Sequence, residues 1–127
     1  MTTKELRVGN MLNYCGQIVY VMGIYPDNKV ELGYFADSIG FTRSIDDKDL
    51  KPIPLTEKLL IKHGFKKQDN NWKALDLHFA YISWEVLAGT TLSFEKEWIF
   101  LPHIKYFHQL QNLYHSLTGE ELTPITP

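Results

Sequence analysis

Five histidines are the residues of this chain best suited to metal binding or acid–base chemistry, and His103, His108 and His115 stand near its C-terminus. His108 and His115 are seven residues apart, which on a helix is roughly one face but about 10 Å along the axis. That separation is too large for both to bind one ion directly. No cysteine or carboxylate follows either residue at a spacing of three or four. We therefore predict polar helix-surface histidines and no metal ligands.

Cys15 is the single cysteine, and so the only candidate for a thiol nucleophile. It cannot form a disulfide within the chain. The following Gly16 predicts a tight hairpin turn at this point, and nothing in the sequence places a histidine or a helix N-terminus beside it. We interpret Cys15 as a turn residue.

Carboxylates cluster at Asp46, Asp47 and Asp49, and again at Glu120 and Glu121. They lack the spacing of a calcium-binding loop, and we interpret them as solvated element ends, with Asp47 or Asp49 capping a short turn. The sequence contains no glycine-rich phosphate loop, no Gly-x-Ser-x-Gly and no His-Glu-x-x-His. We therefore assign no catalytic residue and no cofactor.

The elements that must position these side chains divide at residues 51–55, where Pro52 and Pro54 hold the backbone extended. The prediction is an N-terminal lobe of residues 1–55 and a C-terminal lobe of 56–127. In the first lobe, alternation and turn residues predict strands at 8–14, 17–25, 29–35 and 40–45, with a short closing strand at 50–53. Five short strands joined by tight turns favour a small curled barrel, because closure removes exposed edges.

The C-terminal lobe is predicted to open with a helix capped by Thr56 and stopped at Gly64. A hairpin at 65–75 and strands at 77–86, 91–95 and 98–101 follow. The last element is an amphipathic helix over 104–117 that ends at Gly119. Its predicted apolar stripe is Tyr106, Phe107, Leu110, Leu113, Tyr114 and Leu117. The fold class is therefore α+β.

Two groups of residues are candidate sites. If Cys15-Gly16 forms a two-residue hairpin turn, Met11 pairs with Tyr20, and Met11, Tyr20 and Met22 share the outer face of the barrel. Such a face is covered either by the C-terminal lobe, which we favour, or by a partner. The second group is a polar cluster near the last helix. Its members are His103, His108, Gln109 and Asn112.

Composition limits the classes of function. The chain has 127 residues, and its formal net charge of −2 disfavours nucleic-acid binding, since phosphate neutralisation supplies most of that affinity. No secretory signal and no apolar segment of transmembrane length is visible. We expect a cytoplasmic protein that does not bind a membrane.

Two sets of segments resemble known proteins. Leu6 to Asn10, with the segment 16–24, resembles the opening of SH3-like and Tudor-like small barrels, and 49–53 resembles their closing. The segments 54–57, 63–65, 108–114 and 117–122 resemble a family of small bacterial proteins that is often associated with phage or mobile-element neighbourhoods and has no established activity. These resemblances imply an SH3-like barrel lobe, but they supply no catalytic residues.

The favoured function is a non-enzymatic binding or assembly module whose partner is another protein, in the manner of a phage-derived accessory protein. One alternative is a nucleic-acid-binding accessory protein in which Tyr20, Tyr25 and Tyr34 stack on bases. The other is a small enzyme with a pocket between the lobes, in which the polar cluster near the last helix would be the group to inspect.

Overall fold

A computed structural model of the chain describes residues 3–34, 41–63, 65–68, 71–74, 80–85, 89–94 and 97–122. The chain forms two compact units, here called unit 1 (Met1–Pro54 with Tyr106–Glu121) and unit 2 (Leu55–Lys105 with Leu122–Pro127). The last helix, which the 1–55 and 56–127 division placed in the C-terminal lobe, therefore belongs to unit 1.

Unit 1 contains a four-stranded antiparallel sheet. Its strands are β1 (Met11–Tyr14), β2 (Gln17–Tyr25), β3 (Lys29–Tyr34) and β4 (Phe41–Asp46), paired in chain order. Cys15 and Gly16 both have positive φ, 51° and 80°, as a two-residue hairpin turn requires. The predicted turn and its register are confirmed, since Met11 pairs with Tyr20.

A β-bulge and a short closing contact curl this sheet into a half-barrel. The register between β2 and β3 shifts between Val21 and Gly23, which leaves Met22 as the extra residue. Lys51 exchanges both backbone hydrogen bonds with Asn13, at 2.9 Å each. The predicted closing strand at 50–53 is therefore present only as this single bridge.

The core of the half-barrel is aliphatic. Seven buried side chains from the four-stranded region and its flanks form one cluster, with Tyr14 and Ile45 packed against it. Alternation along β2 places Val19 and Val21 in this cluster, and their cross-strand neighbour Leu32 joins them, as the pattern predicted. The cluster comprises Leu6, Leu12, Val19, Val21, Val30, Leu32 and Leu50.

Helix α2 (Phe107–Thr118) completes unit 1 and contacts β1. Gly119 ends it in the left-handed conformation, as predicted, with φ of 76°. Its start is fixed by two hydrogen bonds: Gln109 Oε1 accepts from the Tyr106 amide, and the Phe107 amide donates to the Ile53 carbonyl.

Unit 2 consists of helix α1 and a five-stranded antiparallel sheet. The helix is Glu57–Lys62, and Thr56 Oγ1 accepts from the Leu59 amide at 3.2 Å, which confirms the predicted cap. The predicted stop at Gly64 lies outside the described residues. The strands, paired in chain order, are β5 (Lys66–Gln68), β6 (Asn71–Ala74), β7 (Ala80–Glu85), β8 (Gly89–Phe94) and β9 (Glu97–Leu101).

Candidate functional site

The structure separates the three residues of the predicted outer surface. Met11 is buried, and β1, which carries it, contacts α2. Tyr20 is half-buried, and its ring lies across Gly33, where an added Cβ would come within 2.3 Å of the ring. Met22, at the bulge, is exposed. Met11 and Tyr20 are paired as predicted, and α2, which the predicted division placed in the C-terminal lobe, contacts the strand that carries the buried Met11. Met22 alone of the three is exposed.

The predicted polar cluster near the last helix also divides. His103 is exposed and belongs to unit 2, whereas the other three residues lie on α2 in unit 1. Gln109 caps the first turn of the helix. Asn112 Nδ2 donates to the Glu5 carbonyl at 3.0 Å, and its Oδ1 accepts from Asn10 Nδ2 at 2.8 Å. Gln109 and Asn112 are therefore half-buried side chains with hydrogen-bond partners in unit 1.

A second amide, Gln111, joins the N-terminal segment to α2 and was not singled out from the sequence. It is buried, with Oε1 accepting from the Met11 amide at 2.8 Å and Nε2 donating to the Gly9 carbonyl at 3.2 Å. These bonds hold the backbone on either side of Asn10, which is itself fully buried. The Gln111 side chain thus hydrogen-bonds to the backbone at the start of β1 much as a neighbouring strand would.

Arg7 completes this set of contacts at the end of α2. Its Nε donates to Asn112 Oδ1 at 3.1 Å, and its two terminal nitrogens donate to the two carboxylate oxygens of Glu121. We call Arg7, Asn10, Gln111, Asn112 and Glu121 the polar clamp. The hydrogen bond from Arg7 is the main reason that the pKa of Glu121 lies below its ordinary value.

The polar clamp joins residues of 6–10, one of the segments that resemble small barrels, to residues of 108–114 and 117–122, which resemble the small bacterial proteins. All of its side chains are hydrogen-bonded to one another or to backbone groups of unit 1. Satisfied polar networks of this kind hold a helix in one register. We assign the clamp to folding of unit 1 and not to ligand binding.

His108 is the buried titratable group of α2. Its ring stacks on Tyr106 with 6.2 Å between centroids, and neither ring nitrogen has a hydrogen-bond partner in the described part of the chain. Burial lowers the pKa of His108, an effect that the charge of Glu5 opposes. The prediction of a polar helix-surface histidine is wrong for His108, because its side chain is buried in unit 1.

The remaining candidate groups occupy separate places. A cavity of about 340 Å³ opens beside the exposed Cys15, and no histidine that would act as a base is among the described residues that line it. Asp46 rather than Asp47 or Asp49 caps the short turn, accepting from the Lys48 amide at 3.2 Å. Within the described ranges, no three His, Cys, Asp or Glu side chains come together as a metal site.

Strand β9 of unit 2 exposes the most prominent apolar group in the described part of the chain. Trp98 is 68% exposed, Ile99 47% and Phe100 46%. These residues are consecutive, so they project alternately to both faces of the strand. Strand β9 is also the last strand of its sheet, with β8 on one side.

The two faces of β9 continue two different surfaces of the sheet. Ile99 pairs with Leu92, which pairs with the fully buried Ile82, so Ile99 extends the core face to the edge. Trp98 and Phe100 pair with Ser93 and Thr91, which have short hydroxyl side chains, and these four residues belong to the other face. A partner that covers β9 must therefore contact both faces of one strand.

Sequence reasoning identified β9 as a strand but not as a surface. An uninterrupted apolar run, here residues 98–101, is also the pattern of a strand buried on both faces. Only its position at the end of the sheet distinguishes the two cases.

No family model, curated protein or solved structure matches this chain. Among the described residues, none of the helices has the length and apolar character needed to cross a membrane. The site is therefore interpreted from its own chemistry.

Proposed function

We propose that the protein is a non-enzymatic binding or assembly module and that β9 is its protein-binding surface. The observation that carries this proposal is the exposure of three consecutive large apolar side chains on an edge strand. Exposed apolar patches of this kind are typical of interaction sites, and tryptophan is enriched at the centres of interfaces.

An edge strand adds a second means of recognition to its side chains. In the described part of unit 2, no strand pairs with the outer backbone N–H and C=O groups of β9. Such groups can pair with another extended segment, which gives affinity, while the side chains give specificity. The proposed partner is thus a protein that offers an extended segment. A nucleic-acid partner fits this surface less well, because phosphate contacts need positive charge and β9 carries only the carboxylate of Glu97.

The proposal includes a cytoplasmic location and an accessory role of the kind found in phage or mobile-element neighbourhoods. The single cysteine supports the location, since a chain with one thiol has no disulfide framework to form in an oxidising compartment. The resemblance of 54–57, 63–65, 108–114 and 117–122 to proteins of such neighbourhoods supports the role.

Photo-crosslinking in cells tests the proposal. Benzoylphenylalanine in place of Trp98 is expected to crosslink to a protein on irradiation. The control places the same residue at Ile61, which is 54% exposed on α1 of the same unit. A protein adduct formed from position 98 and not from 61 supports the proposal. An equal yield from both positions, or no adduct from 98, contradicts it.

A further inference from the structure

We propose that β9 pairs with β9 of a second copy of this chain, antiparallel and about a twofold axis that passes through Ile99. This inference rests on the proposed function and specifies its partner. The pairing joins two five-stranded sheets into one continuous sheet of two copies.

The two edge strands of the sheet, β5 and β9, differ in the features that prevent an edge strand from pairing with another chain. Strand β5 is only three residues long, and two of the three are lysines, Lys66 and Lys67. Short length and lysine are common protections against edge pairing. Strand β9 has five residues and, within Glu97–Leu101, neither lysine nor proline. The open edge of the sheet is therefore β9.

A second copy of β9 is self-complementary in this register. With Ile99 opposite Ile99 of the second copy, Trp98 lies opposite Phe100 of that copy, and the reverse pair lies two residues further along the strand. Both aromatic pairs fall on one face, where cross-strand aromatic pairs stabilise a sheet, and the isoleucine pair falls on the other. Each copy of β9 thus contributes side chains to both faces of the joined sheet.

Charge also favours this register. Glu97 lies opposite Leu101 of the second copy, so the two glutamates are separated by the length of the strand. Like charges directly opposite each other destabilise a sheet, and this alignment has none within Glu97–Leu101.

The area involved predicts a reversible dimer. Aromatic side chains bury about 150–250 Å² each when fully covered, so the exposed parts of Trp98, Phe100 and Ile99 amount to roughly 300 Å² per copy. Two copies then bury roughly 600 Å² of side chain, less than the ~1,200 Å² typical of stable complexes. We expect a monomer–dimer equilibrium that depends on protein concentration.

Sedimentation velocity of the unmodified full-length chain across a dilution series is the first test. A shift from monomer to dimer with rising concentration supports the pairing. A monomer at every concentration overturns it, as does growth beyond a dimer, because a twofold pair uses the β9 edge of both copies.

Cysteine trapping tests the register, in a Cys15→Ser background that leaves one thiol per chain. Oxidation is expected to give several-fold more disulfide dimer with Ile99→Cys than with Trp98→Cys or Phe100→Cys alone. A mixture of Trp98→Cys and Phe100→Cys chains is expected to form a disulfide between the two variants. Equal dimer yields at all three positions, or a yield no higher than that of Ile61→Cys, overturn the antiparallel pairing about Ile99.

The in-cell crosslinks separate this inference from the function on which it rests. A position-98 adduct at twice the mass of the chain supports self-pairing. An adduct with a different protein, combined with a monomer in sedimentation, overturns self-pairing and leaves the binding function standing. If position 98 forms no adduct, the binding function itself fails.

Discussion

Helix α2 of unit 1 and strand β9 of unit 2 reverse the usual arrangement of polar and apolar residues. The helix buries His108 and Gln111, whereas the strand exposes Trp98, Ile99 and Phe100. Single exposed hydrophobic residues are ordinary, whereas a buried polar side chain and a contiguous group of exposed large apolar side chains both call for an explanation. The comparison shows that residue type alone does not identify which face of an element is buried.

The physical reasons for the two exceptions differ. A buried amide is tolerated when its hydrogen bonds are made, and Gln111 makes them to Met11 and Gly9. An exposed aromatic side chain contributes little to folding, because little of its surface leaves water when the chain folds. The first arrangement stabilises unit 1 internally, and the second leaves an exposed apolar surface in unit 2.

The largest expected effect is that of Leu110→Ala, because Leu110 is 1% exposed on α2. Truncation of a buried leucine leaves a cavity and should lower the free energy of unfolding by about 2–5 kcal/mol. Urea unfolding followed by circular dichroism measures it, while tryptophan fluorescence reports on unit 2, which contains all three tryptophans.

The matched control for Leu110 is Leu117→Ala, the same substitution at an exposed position of the same helix. We expect a change below about 0.5 kcal/mol. Equal effects at the two positions would mean that α2 is not held by the face that contains Leu110.

The second-largest loss in free energy of unfolding is expected for Gln111→Ala, which tests the buried polar face of α2. The variant leaves the Met11 N–H and the Gly9 carbonyl without Gln111 as their partner, and we expect a loss of about 1–3 kcal/mol. Gln109→Ala, on the same helix, removes the hydrogen bond to the Tyr106 amide and should cost about 0.5–1.5 kcal/mol. If urea unfolding shows a smaller loss of free energy of unfolding for Gln111→Ala than for Gln109→Ala, the polar clamp does not hold α2 in place.

The third effect is a pH dependence caused by His108. Burial lowers its folded pKa below the usual 6.5, so the unfolded chain binds the proton first as the pH falls. Stability is therefore complete above about pH 6.5 and decreases below it, by at most about 1.4 kcal/mol per pH unit for one group. Urea midpoints across this range measure the slope. In His108→Phe, which keeps a ring but cannot titrate, the slope should be shallower; an unchanged slope would assign it to other groups.

The smallest effect is expected for Trp98→Thr. Threonine suits a strand, and Trp98 is 68% exposed, so the free energy of unfolding at low protein concentration should change by less than about 0.5 kcal/mol. Circular dichroism measures it. A loss of about 2 kcal/mol or more would show that Trp98 belongs to the core of unit 2, and the contrast between β9 and α2 would then fail.

Local sequence was sufficient for much of the fold, because its signals act over a few residues. Cys15-Gly16 predicts the hairpin turn and, with it, the pairing of Met11 with Tyr20. Thr56 and Gly119 mark a helix start and a helix end through hydrogen bonds and backbone conformation within one turn. The α+β class and the order of strands along the chain follow from such signals.

The burial of Gln111 and the exposure of β9 depend on contacts between residues far apart in the chain, which no local sequence pattern contains. Gln111 lies on the buried face of α2 because its partners are the backbones of Gly9 and Met11, about a hundred residues earlier in the chain. The side chain itself is compatible with either face of an amphipathic helix.

The exposure of β9 has a similar origin. The run from Trp98 to Leu101 predicts a strand, but it fits a central strand buried on both faces as well as an edge strand. Sequence determined that these residues are extended and apolar. The order of strands in the sheet, set by pairing between β8 and β9 and by no further strand beyond β9 in the described part of unit 2, decided that they face solvent.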